Sequence, residues 1–546
     1  MSYSNNQTFR PLVLVLIYLA LVGYLYSFSQ YGLNVWDEGG YANGTLRTLN
    51  GEKAMEDFNP FGYPQGRYVY GVLFFKIFGI NIQSLRIGVI LITPAMIFMV
   101  YAISRRIMPP GFAFLASVFM LSAPAMYYNR FFTFFFVLNL FGLIRCVEKF
   151  QPQRYLFLSG TILLSGFFKV EVAFLSFLCS AAVFFIQFIL SRTKQQNSDE
   201  EPSLDFGMNP IKFWLSLVSL VVTLFLAVSF LLERDFFKLA VDMIFGSYNV
   251  WGNPFPDLSS WNKLEVHEIF QRLLYYIPIW VYVGVAGFIA IKTIRESAVE
   301  VIDLHVLSIL LVGVCAYGLV LWRAGFDNLL RTLPPAYILF CYVLYLFRNQ
   351  LFSLSDAIPR ELSVYQVLRK TTINVMTVFF PFLFFYQMNV NHGFYAGTIG
   401  AMRQEKVLID MDRMTVYTNP AEAQWITQVV DRIKMYSDQN DAIFALPLNP
   451  IFYFLTDRSN PTAYDWILPG MLDDKGEKGV IDQLQANPPK VIVYVDIPID
   501  GKEDRRLSRY APLIFSYILE NYRLEERIGM FQILLPKSED QQNLGT

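Results

Sequence analysis

Two adjacent carboxylates, Asp37 and Glu38, follow the first long apolar run of the chain and come directly after Trp36. Tryptophan is enriched at the headgroup level of membranes, so we expect both acids to lie just outside the hydrocarbon. Gly39 and Gly40 would let the backbone turn there. A carboxylate held at this boundary can take a proton from a hydroxyl group. The pair is either such a reactive site or a solvated turn with no chemistry.

Cations recur near the predicted membrane edge on the same side as this acidic pair. Arg130 and Lys169 lie in short turns between apolar runs, and Glu171 follows two residues after Lys169. Residues two apart do not share a helix face, so Lys169 and Glu171 can reach one cavity only if the helix breaks there. A lone lysine in such a turn is ordinarily an interfacial anchor. Several such cations together would suit an anionic lipid headgroup.

A further outer turn, Trp322–Pro335, carries Arg323, Asp327 and Arg331. The planar fork of an arginine donates two hydrogen bonds at once, which suits a phosphate group. Arg323 could instead form an ion pair with Asp327. The residues alone leave both interpretations open.

The composition is that of a polytopic membrane protein. Of the 546 residues, 54% are hydrophobic and only 16% are charged, whereas soluble proteins carry about a quarter charged residues. The net charge of −1 argues against a nucleic-acid partner. The three histidines are too far apart in the sequence to form a metal-ligand cluster. About eleven segments are apolar and near the length that crosses a bilayer: residues 11–29, 84–104, 111–128, 131–147, 155–169, 172–190, 211–232, 275–294, 304–322, 332–347 and 372–391.

Lys and Arg lie in every second gap between these segments, which predicts the orientation because short basic loops stay cytoplasmic. The N-terminus is then cytoplasmic, and both the acidic pair and the C-terminal region are extracytoplasmic. The first outer loop, residues 31–83, is long enough to be structured, with residues 68–79 as a helix in the membrane interface. We expect its Arg67 and Arg86 to contact lipid headgroups or to support a site. Residues 233–271 form a second large outer loop.

The composition becomes that of a soluble protein beyond residue 391. Three short apolar strands and two helical segments predict an α/β domain over residues 392–546. The strands are residues 442–446, 491–495 and 531–535, and the helices are residues 421–437 and 507–520. No phosphate loop or nucleophile elbow is present there, so we interpret this domain as a lid or an acceptor-recognition module. Residues 1–391 form the transmembrane domain.

These motifs, in this order among the apolar segments, resemble those of the GT-C glycosyltransferases of the protein O-mannosyltransferase and aminoarabinose transferase type. That family takes sugars from polyprenyl phosphate carriers. Asp37 and Glu38 stand where it has an acidic pair in the first outer loop. The segment Gly166–Lys169 resembles its glycine-to-lysine pattern, whose lysine contacts the donor phosphate, and Arg323–Pro335 resembles its turn ending in Leu-Pro-Pro.

The chain departs from the family pattern at three positions. Gly325 and Asn328 replace an Asp and a His of the turn, and Phe135 stands where some members have an acidic residue after the arginine that corresponds to Arg130. The resemblance therefore carries over best at Asp37 and Lys169. It implies a GT-C membrane fold with an extracytoplasmic α/β domain.

The resemblance also implies an inverting transfer of a sugar from a polyprenyl phosphate to an acceptor hydroxyl of a glycan, lipid or protein. Asp37 would be the general base and Glu38 would orient the acceptor. No cofactor or metal is required if cations neutralise the leaving phosphate. The four cations for this role are Lys169, Arg130, Arg323 and Arg331. The supporting residues would be Glu171, Arg67, Arg86 and Asp327.

Two other classes of function use the same features differently. A transporter or flippase of lipid-linked sugars would bind the headgroup with the outer cations and carry out no chemistry. Such proteins usually show internal repeats and polar, broken helices near the midplane, which are not evident here. A sensor or assembly protein with an outer domain would leave the acidic pair without a role.

Overall fold

The computed structural model describes residues 6–60, 63–123, 129–149, 151–197, 219, 222, 255–257, 266–296, 300–322, 324–356, 363–390 and 398–538. Up to residue 390 the described chain is helical. Its helices are α1 (Asn6–Ser27), α2 (Asp37–Leu49), α3 (Gln65–Phe78), α4 (Ile82–Ser104), α5 (Pro110–Val118), α6 (Arg130–Glu148), α7 (Pro152–Gly166), α8 (Val170–Asn197), α9 (Val266–Glu296), α10 (Val301–Trp322), α11 (Phe326–Asp356) and α12 (Ser363–Val390).

Many of these helices are apolar on the side that faces away from the protein core. Six of the described helices are long and apolar enough to span a membrane, namely α4, α6, α8, α9, α10 and α11. Leu16 on α1 and Val283 on α9 are 57% and 68% exposed, as expected of side chains that contact lipid rather than water. The chain is therefore a polytopic membrane protein, as the composition predicts. The count of about eleven spans stays a prediction, since residues 211–232 lie almost wholly outside the described part.

The first outer loop is structured, as its length predicts. It forms α2 and α3, and α3 covers most of the predicted helix at residues 68–79. The predicted turn at Gly39 and Gly40 is wrong, because both glycines lie in the first turn of α2. A Cβ atom on Gly40 would lie 1.8 Å from the Trp466 ring. Glycine here permits a close approach of another segment rather than a change of direction.

The helix break predicted around Lys169 is confirmed. Helix α7 ends at Gly166 and α8 begins at Val170, so Lys169 lies in the connection and Glu171 in the first turn of α8. The backbone N–H of Gly66, at the start of α3, donates to the carbonyl oxygen of Phe167 at 2.9 Å. This bond ties the connection to the first outer loop and brings Lys169 close to α3.

The C-terminal region is an α/β unit, as predicted. Its strands are β1 (Val407–Met411), β2 (Met414–Thr418), β3 (Ile443–Leu446), β4 (Val491–Val495), β5 (Tyr522–Ile528) and β6 (Phe531–Pro536). Strands β1 and β2 form an antiparallel hairpin, and the other four form a sheet of order β3-β4-β6-β5 in which only β3 and β4 are parallel. The helices are α13 (Thr398–Gln404), α14 (Pro420–Tyr436), α15 (Ile451–Thr456), α16 (Asp474–Ala486), α17 (Leu507–Tyr510) and α18 (Pro512–Asn521).

The three predicted strands correspond to β3, β4 and β6, and the helix predicted at residues 421–437 corresponds to α14. The single helix predicted at residues 507–520 is wrong, because the chain forms α17 and α18 with a break at Ala511. Pro512 has no backbone N–H and disfavours a helical conformation at the residue before it, so it begins a new helix.

The β1–β2 hairpin packs against the segment between α1 and α2. The backbone N–H of Gly32 donates to the Tyr417 carbonyl oxygen at 2.9 Å, and that of Tyr417 donates to the Gln30 carbonyl oxygen at 2.7 Å. The rings of Tyr31 and Tyr417 stack with centroids 4.9 Å apart. The C-terminal unit therefore contacts the backbone a few residues before Asp37.

Candidate functional site

The two acidic residues begin α2 but have different environments. Asp37 is half-buried, and its Oδ2 accepts a hydrogen bond from Asn34 Nδ2 at 3.2 Å. Asn34 Oδ1 in turn accepts from the backbone N–H groups of Trp36 and Asp37, a local turn that holds the start of the helix. Within the described chain, Asp37 Oδ1 accepts no hydrogen bond. One oxygen of this carboxylate can therefore accept a proton from another molecule.

Glu38 is buried and both of its oxygens are occupied. Arg86 Nε donates to Oε1 at 2.6 Å and Arg86 Nη2 donates to Oε2 at 2.7 Å. The same guanidinium donates to the carbonyl oxygens of Ser29 and Gly32 at 2.6 and 2.8 Å. This bidentate pair joins the end of α1, the start of α2 and the outer end of α4. Because the pair is buried and Glu38 directly follows Asp37, it suits a positioning role for Glu38 and Arg86.

Arg67 on α3 is surrounded by tyrosine rings. It is only 3% exposed, and its Cζ lies 3.9, 4.7 and 5.1 Å from the ring centroids of Tyr63, Tyr41 and Tyr68. Its Nε and Nη2 atoms have no hydrogen-bond partner among the described residues. Leaving such buried donors unmatched costs about 1–3 kcal/mol each and more for charged groups. A buried guanidinium of this kind is matched to an anion.

Lys169 also contacts the Tyr63 ring. Its Nζ is 4.3 Å from the ring centroid and 3.1 Å from Glu171 Oε1. Both residues are buried, with Lys169 6% exposed. Arg67 and Lys169 therefore share one tyrosine as a contact, and together they outweigh the single negative charge of Glu171. The result is a positively charged, aromatic-lined cluster, formed by Tyr41, Tyr63, Arg67 and Lys169, which we call the cationic cluster.

One member of the cationic cluster, Tyr41, lies one helical turn from Asp37. Tyr41 follows Asp37 by four residues on α2, so the two side chains share a face and their Cα atoms are about 6 Å apart along the axis. The Tyr41 hydroxyl is buried and has no hydrogen-bond partner in the described chain. Burial raises the pKa of Tyr41 above its usual value, so the hydroxyl stays a neutral donor. Tyr41 therefore links the two parts of the site, since its ring contacts Arg67 and its backbone lies one turn after Asp37 on α2.

Arg130 is the first residue of α6, and Arg331 on α11 lies near the start of that helix. Arg130 is buried, and its Nη1 and Nη2 donate to Thr93 Oγ1 at 2.9 Å and to the Ala123 carbonyl oxygen at 3.1 Å. Arg331 on α11 is half-buried, with Cζ 5.6 Å from the Phe132 ring centroid. Asn129, the residue before Arg130, accepts a hydrogen bond from the Tyr63 hydroxyl at 3.2 Å. This contact connects Arg130 with the cationic cluster.

The structure says little about two further predicted site residues, Arg323 and Asp327. Arg323 lies outside the described residues, so its pairing with Asp327 stays a prediction. Asp327 lies in the first turn of α11. No group of three or more His, Cys, Asp or Glu side chains that could hold a metal ion occurs in the described part of the chain.

Arg67 is predicted from the sequence only as a supporting residue, and Tyr41 and Tyr63 are not among the predicted site residues. Tyr41 and Tyr63 lie 22 positions apart on different segments, so no local pattern could show that both meet Arg67. An available signal was the arginine in the first turn of an otherwise apolar, tyrosine-rich helix. A charge in that setting requires a partner or a ligand.

Comparison with known proteins identifies the fold. No protein-family model matches the chain, and no curated protein sequence matches it. The structure is similar to that of ArnT from Cupriavidus metallidurans bound to undecaprenyl phosphate, with a TM-score of 0.52 and 10% identity over 98% of this chain and 99% of that one. The apo state of the same ArnT gives a TM-score of 0.54 and 10% identity over 95% and 97% of the two chains.

An archaeal protein shows the same likeness. The oligosaccharyltransferase of Archaeoglobus fulgidus in its apo form has a TM-score of 0.50 and 11% identity, covering 96% of this chain and 75% of that one. At such low identity the likeness concerns the fold and not the reaction. The fold predicted from the sequence is therefore confirmed: the chain has the GT-C membrane fold of ArnT and of the oligosaccharyltransferase, with its α/β unit at the C-terminal end.

Proposed function

We propose that this protein is a glycosyltransferase that moves a sugar from a polyprenyl phosphate carrier to an acceptor hydroxyl. One observation supports this most strongly. The buried guanidinium of Arg67, whose Nε and Nη2 have no partner among the described residues, contacts the ring of Tyr41, one helical turn after Asp37, and shares the Tyr63 ring with Lys169. This arrangement supplies an anion site for a phosphate leaving group and, on the adjoining turn of α2, a base for an attacking hydroxyl.

The reaction begins when Asp37 Oδ1 takes the proton of the acceptor hydroxyl. The hydroxyl oxygen then forms a bond to the anomeric carbon of the sugar, on the face opposite the phosphate. The bond between that carbon and the phosphate oxygen breaks, and its electron pair leaves with the polyprenyl phosphate. The configuration at the anomeric carbon is thereby inverted.

Arg67 and Lys169 bind the donor phosphate and stabilise the charge that grows on it as the bond breaks. The Tyr41 hydroxyl donates a further hydrogen bond to a phosphate oxygen. Arg130 and Arg331 form a second group of cations that bind the phosphate or the sugar from the side of α6 and α11, and Arg323, which lies outside the described residues, is proposed for the same role. Because these cations neutralise the leaving group, the reaction as proposed needs no metal ion or cofactor.

Glu38 has a narrower role in this proposal than the resemblance implies. Both of its oxygens bind Arg86, so it holds the start of α2 in place and does not contact the acceptor. Glu171 is the ion-pair partner of Lys169 and fixes the position of that ammonium group. Asp37 is then the only member of the acidic pair that is available as a base.

The proposed topology places the N-terminus in the cytoplasm and the C-terminal unit on the periplasmic or extracellular side. The distribution of basic loops favours it. The contact between the β1–β2 hairpin and the start of α2 adds support, since the C-terminal unit and the first outer loop must then lie on one side of the membrane. In this arrangement the transfer takes place on the outer face, and the domain boundary stays near residue 391.

The experiment follows the fate of the donor lipid. Purified protein in lipid nanodiscs is mixed with undecaprenyl-phosphate-linked sugars and an extract of cell-envelope glycans and lipids. Mass spectrometry then quantifies free undecaprenyl phosphate and new glycosylated products. A transferase releases the free lipid phosphate in proportion to product, whereas a flippase leaves the donor intact. Intact donor with every sugar tested, despite measurable donor binding, would overturn the proposal in favour of the flippase.

A further inference from the structure

Asp465 belongs to the C-terminal unit, between α15 and α16, yet its carboxylate is bonded to α2. It is 4% exposed. Its Oδ1 accepts from Arg47 Nη1 at 2.9 Å and its Oδ2 accepts from Asn43 Nδ2 at 2.9 Å. Asn460 Nδ2 also donates to Oδ1, at 3.0 Å. Asp465 therefore binds two consecutive turns of the helix that begins with Asp37.

The same face of α2 is packed closely against the C-terminal unit. A Cβ atom on Gly39 would lie 2.7 Å from Ile451 Cβ, and one on Gly40 would lie 1.8 Å from the Trp466 ring. The fit at these two glycines leaves no room for the helix to move towards the C-terminal unit. The position of α2 thus depends on residues more than 400 positions away in the sequence.

Polar contacts hold helix α2 at both ends, and near its C-terminal end Arg47 also pairs with Glu52 at 2.7 Å. The Glu38–Arg86 pair holds its start, and Asp465 holds Asn43 and Arg47 near its end. Residues 37 and 47 are about 15 Å apart along a helix axis. With the contacts of Asp465 removed, the helix can tilt about the Glu38–Arg86 pair, and the side chain of Asp37 changes direction. Misplacing a catalytic group by about 1 Å can cost about 100-fold in rate.

We propose that Asp465 is a positioning residue for Asp37, so that the C-terminal unit is part of the catalytic site. The carboxylate of Asp465 acts through Arg47 and Asn43 and touches neither donor nor acceptor. It fixes the axis of α2 and hence the distance between the Asp37 oxygen and the cationic cluster. The inference rests on the proposed transfer reaction, and it adds to that reaction a residue and a domain that set its rate.

The test compares Asp465→Asn with Glu477→Gln in the full-length protein in nanodiscs. Glu477 is a matched control, because it is a buried carboxylate of the same unit that accepts from the backbone N–H groups of Leu513 and Ile514 and does not bind α2. Each protein is assayed for kcat, for binding of undecaprenyl phosphate, and for amide hydrogen exchange.

Asp465→Asn is expected to lower kcat by about 10- to 100-fold, to change the Kd for undecaprenyl phosphate less than about twofold, and to speed amide exchange over residues 37–49. Glu477→Gln is expected to speed exchange over residues 512–521 and to keep kcat within about twofold. Arg47→Met breaks the same contact from the other side and also removes the Arg47–Glu52 ion pair, so it should lower kcat and speed exchange over residues 37–49 at least as much as Asp465→Asn. It serves as the second variant if Asp465→Asn does not fold.

The result that overturns the positioning role is a parental kcat and parental exchange over residues 37–49 in both Asp465→Asn and Arg47→Met. The role is also overturned if kcat falls only in proportion to the loss of folded protein, or if Glu477→Gln lowers kcat equally. In either case Asp465 would act on stability alone. Absence of transfer by the parental protein is a separate result. It overturns the proposed function, and the positioning role with it.

Discussion

Arg67 and Arg86 are two buried arginines with different environments, and replacing each by methionine should change a different property of the protein. Methionine keeps much of the apolar stem and removes every donor. Arg86 donates hydrogen bonds to Glu38, Ser29 and Gly32, whereas Nε and Nη2 of Arg67 have no partner within the described chain. We expect Arg67→Met to weaken donor binding and Arg86→Met to weaken the fold.

The magnitudes follow from these contacts. A hydrogen bond to a charged group contributes about 1.5–3 kcal/mol, so losing the two bonds that Arg67 makes to the phosphate costs about 3–6 kcal/mol. That is about 10²- to 10⁴-fold in Kd. In the unliganded protein the same change removes three tyrosine contacts, about 0.5–2 kcal/mol each, and also removes two donors whose burial costs about 1–3 kcal/mol each. These two effects nearly cancel, so the thermal stability should change little.

Arg86→Met should instead lower the stability of the fold. It leaves Glu38 buried with no counter-ion, which typically costs about 3–5 kcal/mol. The assay measures undecaprenyl phosphate binding by microscale thermophoresis and the Tm of the unliganded protein for both variants in the same detergent. Unchanged donor affinity in Arg67→Met would refute the assignment of the phosphate to the cationic cluster. A large drop in Tm for Arg67→Met would show that the arginine is a structural residue.

Four further predictions concern the neighbouring groups. Lys169→Ala should raise the donor Kd by about 10- to 150-fold through the loss of one charge-assisted hydrogen bond, and an unchanged Kd would reduce Lys169 to an interfacial anchor. Glu38→Gln should lower the Tm but keep the rate per folded molecule within about threefold, because the carboxylate binds Arg86 and not substrate; a selective loss of rate would restore a role at the acceptor. A chelator should leave the transfer rate unchanged, and inhibition reversed by one divalent ion would contradict this. A reporter fused to the C-terminus should be active only outside the cytoplasm; activity inside would overturn the topology.

The sequence alone was sufficient to predict the features that depend on a local pattern of residues. Apolar runs of membrane-spanning length, the break around Lys169 and the strands β3, β4 and β6 each follow from composition over a short stretch. Asp37 could also be singled out, because an acidic pair directly after an interfacial tryptophan is unusual. Its place at the start of a helix could not be predicted, since Gly39 and Gly40 disfavour a helix unless packing compensates.

The features that sequence reasoning missed depend on contacts between distant parts of the chain. Glu38 is separated from Arg86 by 48 residues, and Asn43 is separated from Asp465 by 422. Nothing within either local sequence distinguishes an acid that will be paired from one that will stay free. The distinction between Asp37 and Glu38, and the role of Arg67, therefore emerge only when α2, α3 and α4 are placed together.

The most direct test of the central claim is the rate of sugar transfer by purified Asp37→Asn. The amide keeps the shape of the side chain and its contact with Asn34, but it cannot take a proton. General-base catalysis contributes typically about 10²- to 10⁴-fold, so the transfer rate should fall by that factor while the Kd for undecaprenyl phosphate and the Tm stay at parental values. Transfer by Asp37→Asn at near the parental rate would show that Asp37 is not the base.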